Sequence, residues 1–229
     1  MKNYILLPIS VLSLIGIIIW QMFCANELNY YIVSVSILVL SMLPFFASFE
    51  KKKISTGELT LTATLIAIVS RAVFYLIPQV KPIAAVVIVS AVCLGAERGY
   101  IVGAFSAFIS NFIFGQGYWT PFQMVALGMV GLVSGLIFKK LKVNKITLSI
   151  VGFVLTFALY GVIVDASTIM MAYGTKVTLA GAMTIYGAGV PFSAVFGAAT
   201  AVFLFLFGVP FIKKIDRINT KYNITKAVL

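Results

Sequence analysis

The sequence predicts an all-α membrane protein of about eight transmembrane helices. Three observations predict it. Of the 229 residues, 62% are hydrophobic and only 10% charged, where a soluble domain carries roughly a quarter. The mean hydropathy of +1.11 is more apolar side chain than a soluble chain of this length can cover. The apolar residues also fall in unbroken runs, close to the roughly 20 that a helix needs to span hydrocarbon. A membrane β-barrel would instead show short alternating runs.

The runs divide the chain in two. Residues 1–53 hold two apolar segments, 4–23 and 30–49, the second ending at Glu50-Lys51-Lys52-Lys53. With Lys2 ahead of it, the first segment has the outline of a signal peptide. It is longer than the usual apolar region of one and lacks a small-residue cleavage site, which predicts a retained helix. Residues 54–229 form a six-helix core with a basic tail, the helices covering 57–77, 83–96, 99–114, 121–140, 146–171 and 188–211. Pro78-Gln-Val-Lys-Pro82 makes a rigid turn between the first two of these. The helix after it is short, which predicts one that is tilted or buried among the others. Residues 173–187 are the longest internal loop candidate.

Charge sets the orientation. With eight spans and the N-terminus inside, 14 of the 17 basic residues lie on the inner side, only Lys81 and Lys176 lie outside, and Arg71 is within a span. The positive-inside rule then predicts a multi-pass cell-membrane protein with both termini cytoplasmic. The net charge of +11 is thus topological and drawn to the anionic inner leaflet; it does not indicate nucleic acid. Histidine is absent, which removes imidazole as ligand, base or relay. Cys24 and Cys93 are far apart and form no CxxC. No metal site and no cofactor are expected.

A few polar residues within or beside the spans carry the candidate chemistry. Arg71 lies seven residues before Pro78, toward the outer end of its helix. A charge there either faces a ligand cavity, snorkels to headgroups or forms an ion pair. Asp165 is the acid well inside a span; pairing with Arg71, ligand contact and proton relay are all open for it. The outer segment Gly115-Gln-Gly-Tyr-Trp-Thr-Pro-Phe-Gln123 combines amide groups (Gln116, Gln123) with aromatic faces (Tyr118, Trp119). That mixture suits either a small-molecule site or an interfacial aromatic belt. Asn111 lies one helical turn before it. Ala63 and Ala67 place small residues four apart, which lets another helix approach closely. No phosphate-binding loop G-x-x-x-x-G-K-[ST] appears, nor HExxH or GxSxG, so the chain shows no energy source of its own.

Residues 57–211 resemble the substrate-binding S component of an energy-coupling factor (ECF) transporter. The resemblance rests on the six-helix layout, on Ala63-Thr-Leu-Ile-Ala67 as the AxxxA motif of the first core helix, and on the run from Arg71 through Pro78 and Pro82 to Ser110-Asn-Phe-Ile-Phe-Gly-Gln-Gly-Tyr-Trp-Thr-Pro-Phe-Gln-Met124. It looks like the branch associated with cobalamin or related corrinoids. It implies a vitamin substrate captured at the outer face by Arg71, Asn111, Gln116, Tyr118, Trp119, Gln123 and Asp165. It also implies a membrane coupling subunit contacting Ala63 and Ala67, two ATPase subunits that supply the energy, and release inward as the S component topples. The two N-terminal helices depart from the six-helix pattern. Rival readings are a self-contained secondary transporter, for which two embedded charges are a thin ion-coupling set, a membrane enzyme, for which no acid, base or metal cluster is visible, and a non-transporting assembly subunit.

Overall fold

A computed structural model describes residues 55–173 and 176–222. The two predicted helices of residues 1–53 lie outside the described residues, so of the eight expected helices only the six of the core are on view. These are α1 (Thr56–Val73), α2 (Ile83–Leu94), α3 (Ala96–Phe114), α4 (Thr120–Ile137), α5 and α6. α5 runs through Lys145–Val154, a π-helical stretch Leu155–Tyr160, and Gly161–Tyr173. α6 runs through Leu179–Phe203, a π-helical stretch Leu204–Gly208, and Val209–Tyr222. Four of the six (α1, α4, α5 and α6) are long and apolar enough to cross a membrane. α3 is long enough but opens with Glu97 and Arg98. α2 has 12 residues, about 18 Å, less than the roughly 30 Å of a hydrocarbon core; nearly all of it is buried, as its length predicts.

Local signals explain where the helices start. Ser55 caps α1 in a reciprocal box: its hydroxyl accepts from the Glu58 amide at 3.2 Å and its own amide donates to the Glu58 carboxylate at 2.8 Å, so two otherwise orphaned donors are satisfied. Asn144 and Thr147 do the same for α5, and Pro121 sits in the first turn of α4, where its missing N–H costs nothing.

Three boundaries differ from the sequence prediction by more than three residues. α1 stops at Val73 and not at 77. The Lys81 ammonium donates to the carbonyls of Phe74, Tyr75 (3.0 Å) and Ile77 (2.8 Å), so those oxygens are satisfied without a continued helix, and Gln79 takes a left-handed φ of 57°. Residues 173–187 are not one long loop, because α6 begins at Leu179, where the Thr178 hydroxyl accepts from the Gly181 amide at 3.1 Å. Within the first turns the Thr184 hydroxyl donates to the Ala180 carbonyl at 2.9 Å, so its polarity is absorbed inside the helix. α6 also does not end at 211. Ile212 is buried and Ile215 and Ile218 pack on the core while Lys213, Lys214 and Arg217 stay exposed, a helical period that continues the element.

The closest packing joins α3 to α4. A Cβ on Gly103 would run into the Leu127 carbonyl, and one on Gly131 into the Gly99 carbonyl, so at these crossings backbone meets backbone. α2 lies in the middle, with Val87 and Ile88 fully buried. At one end of the bundle lie the turn 74–82 and the loop 115–119. The other end carries the exposed lysines of residues 139–145 and of the last turns of α6. There the Asn219 amide donates to the Cys93 carbonyl at 3.3 Å, tying α6 to α2.

Candidate functional site

The last turn of α1 brings Arg71 beside the last turns of α3. Its Nη1 donates to Ser110 Oγ at 2.5 Å and to Asn111 Oδ1 at 2.8 Å, and its guanidinium lies 4.3 Å from the centre of the Phe114 ring. A half-buried cation gains from such partners, because taking it out of water without them is costly; the aromatic face adds cation–π attraction. Asn111 is 1% exposed and passes the network on. Its Nδ2 donates to Gln123 Oε1 at 2.8 Å and Thr120 Oγ1 at 3.1 Å. The Thr120 hydroxyl donates to Gln116 Oε1 at 2.8 Å, and Gln116 Nε2 reaches the Phe108 carbonyl at 3.0 Å. One chain of hydrogen bonds thus fixes the arginine to the loop 115–119 and the start of α4.

Arg71 and Gln123 border a cavity of about 600 Å³ that opens between this cluster and the facing turns of α5 and α6. The opposite wall carries Asp165, whose carboxylate rests against the α6 backbone at Gly189, where any side chain would displace it. Arg71 and Asp165 do not form an ion pair; they face the same space from different helices. Between them stand aromatic rings, with Tyr160 and Phe196 packed at 4.8 Å and Phe114 and Phe192 on the rim. Tyr160 ends the π-helical stretch of α5, where the extra residue per turn re-aims side chains. Lys81, in the turn outside the spans, also lines the cavity. Burial, and secondarily the Arg71 charge, lower its pKa to about 8.

The structure sorts the sequence-predicted residues into three groups. Arg71, Gln123 and Asp165 line the cavity. Asn111 and Gln116 stand behind it as connectors in the hydrogen-bond chain. Tyr118 and Trp119 are not among its lining residues: Tyr118 is exposed, and the Trp119 ring lies over Gly117. Ala63 and Ala67 part company as well. Ala67 is fully buried against α2 and α3, whereas Ala63 opens onto a separate apolar groove. Sequence reasoning missed Tyr160, Phe192, Phe196 and Lys81 as cavity residues. Their one sequence signal, an aromatic in an apolar run or a lysine in a turn, is shared with many residues elsewhere in the chain.

A bundle of apolar helices around a cavity lined by the cations Arg71 and Lys81, the Asp165 carboxylate and aromatic walls is a membrane-embedded solute-binding protein. Among the described residues no group of three or more His, Cys, Asp or Glu is placed to hold a metal. Residues 53–217 match the family model of the ECF-type riboflavin transporter, S component, and the chain belongs to that family. It is therefore a substrate-binding transporter subunit and not an enzyme. The family model names riboflavin and not the cobalamin expected from the run 71–124. No curated protein and no solved structure matches the chain.

Proposed function

We propose that this chain is the membrane subunit that captures riboflavin, or a close flavin, for an ATP-driven ECF uptake transporter. The observation that carries the reading is the cavity between Arg71 and Asp165. Its volume of about 600 Å³ lies within the roughly 300–1,000 Å³ of sites for compact organic ligands. Its aromatic walls suit a flat three-ring system, the Arg71 donors suit ring carbonyl oxygens, and Asp165 suits the hydroxyls of a polyol chain. A corrinoid has several times the bulk of a flavin and would overfill it. The corrinoid expectation rested on the motif resemblance alone, and the family match favours the flavin.

The basic end of the bundle faces the cytoplasm in this reading, following the positive-inside rule, so the cavity opens outward. Residues 54–229 act as the binding core. Ala63, backed by the buried Ala67, contributes to the contact with a membrane coupling subunit, and two ATPase subunits provide the energy that the chain lacks. Fluorescence titration of the detergent-purified protein tests the ligand. One-to-one quenching of riboflavin fluorescence, uncompeted by cobalamin, is expected. Absence of flavin binding together with saturable cobalamin binding would overturn the assignment.

A further inference from the structure

We propose that Gln123 presents its amide nitrogen, and not its oxygen, to the cavity, and that together with Arg71 it selects the flavin ring edge that carries N5 and the C4 carbonyl. The direction of each hydrogen bond decides the first half. A guanidinium donates and cannot accept. Arg71 Nη1 therefore requires an oxygen of Asn111, and finds Oδ1 at 2.8 Å. That leaves Asn111 only its Nδ2, a donor, to turn toward α4. Nδ2 in turn requires an oxygen of Gln123, and finds Oε1 at 2.8 Å. Its second proton goes to Thr120 Oγ1 at 3.1 Å, whose own proton goes to Gln116 Oε1 at 2.8 Å. Asn111 is 1% exposed, so water cannot stand in for these partners. Neither Asn111 nor Gln123 can turn its amide over without setting donor against donor. Gln123, which lines the cavity, is thus left with its NH2 group to offer.

The ligand edge follows, and it rests on the flavin reading of the cavity. Arg71 and Gln123 both border the cavity and are both bonded to Asn111, so they offer donors at one place. Lys81 adds charge but no donor, since its three protons serve the carbonyls of Phe74, Tyr75 and Ile77. A patch of donors calls for a ligand edge made of acceptors. On the flavin ring the edge of C2 carbonyl, N3–H and C4 carbonyl does not qualify. Its N–H would meet a donor, and a desolvated donor without an acceptor costs binding. Two edges do qualify: N1 with the C2 carbonyl, and N5 with the C4 carbonyl. The polyol chain decides between them. It is carried on N10, beside the N1 edge and across the central ring from N5. With the polyol hydroxyls at Asp165, on the opposite wall, N5 and the C4 carbonyl face Arg71 and Gln123.

Displacement of riboflavin from the full-length, detergent-purified protein by two ring analogues tests the edge. 5-Deazariboflavin replaces N5 by C–H, and 1-deazariboflavin does the same at N1. A site built around a hydrogen bond rejects the analogue that lacks it. The 5-deaza analogue should bind about tenfold or more weakly than riboflavin, and the 1-deaza analogue within about twofold of it. Equal binding of the 5-deaza analogue, or a larger loss with the 1-deaza analogue, overturns the proposal and leaves the flavin reading standing. Absence of riboflavin binding overturns both. Two variants test the amide. The carboxylate of Gln123→Glu still accepts from Asn111 but turns an acceptor to the cavity. Asn111→Asp accepts from Arg71 but cannot donate, which frees the Gln123 amide to turn over. Each should bring the ratio of riboflavin to 5-deazariboflavin affinity down to about one, as loss of the donor requires. The ratio is taken within each variant, so a general loss of stability does not mimic the effect. A ratio unchanged in both variants would remove Gln123 from the N5 contact and overturn its assigned role.

Discussion

The two halves of the bundle are built to different tolerances. In α1–α4, Gly103 and Gly131 bring backbones into contact, and 39% and 44% of the membrane windows of α1 and α4 are buried, against 28% and 33% for α5 and α6. The second half also carries both π-helical stretches, and α6 contains Pro191, an established cause of helix bending. The Arg71 hydrogen-bond network lies wholly in the first half; Asp165, Tyr160 and Phe196 lie in the second. The cavity is thus a seam between a close-packed frame and a looser wall. The frame holds Arg71 in a preset position, and the wall is the part built with room to adjust.

The largest effect that tests this contrast is on stability. Gly103→Ala should lower thermal unfolding stability in detergent by about 1–3 kcal/mol, the usual cost of overpacking, because the new methyl meets backbone and not a flexible side chain. Gly187→Ala, where the added carbon meets nothing within 4 Å, should instead stabilise by roughly 0.5–1 kcal/mol, as alanine does in a helix. Equal losses at both positions would erase the difference between the halves.

Next in size is an effect on binding. Arg71→Met should weaken riboflavin affinity by about 1.5–3 kcal/mol, the range for hydrogen bonds to a charged group, in the same fluorescence titration. Asp165→Asn keeps an acceptor and should cost about 1 kcal/mol. A larger loss at Asp165 would move the anchor from the frame to the wall. Trp119→Ala is expected to change affinity by less than about 0.5 kcal/mol, as substitutions away from a site do, because its ring packs on Gly117 outside the cavity. A loss of 2 kcal/mol or more, typical of a buried aromatic anchor, would bring the loop 115–119 into the site.

A further effect concerns pH. The native Lys81 pKa of about 8 is depressed below its ordinary 10.5. Between those values the unfolded chain holds a proton that the native chain has released, so unfolding free energy rises with pH across this window. Lys81→Met should remove that rise. A slope that survives the substitution would locate the titration elsewhere.

Much of this architecture is legible in the sequence because lipid imposes a simple grammar: apolar runs become helices, and a polar group inside one must have a purpose. That logic finds Arg71, Gln123 and Asp165 directly. It also finds Asn111 and Gln116, but reads as contacts what the structure uses as connectors, since spacing does not say which amide of a hydrogen-bond chain ends at the cavity. The aromatic wall is not legible. Phenylalanine and tyrosine number 29 in this chain, and in a membrane helix an inward ring and a lipid-facing one have the same sequence signature. Residues 173–187 mislead for a related reason. Their glycines, alanines and threonines suggest a loop in water, whereas in a membrane helix threonine can satisfy itself on the preceding turn, as Thr184 does on Ala180.

The length of α6 carries one more consequence. From Leu179 to Lys221 it has 43 residues, about 65 Å, where a bilayer with its headgroups measures roughly 40–45 Å. Gly189, against which Asp165 rests, and Asp216, beyond the second π-helical stretch, are on this one helix about 40 Å apart. A tilt of a few degrees about its middle swings both ends in opposite directions, so that a change in the cavity wall becomes a displacement of the basic turns. The helix is geometrically a lever, with the cavity wall at one arm and the cluster of lysines at the other.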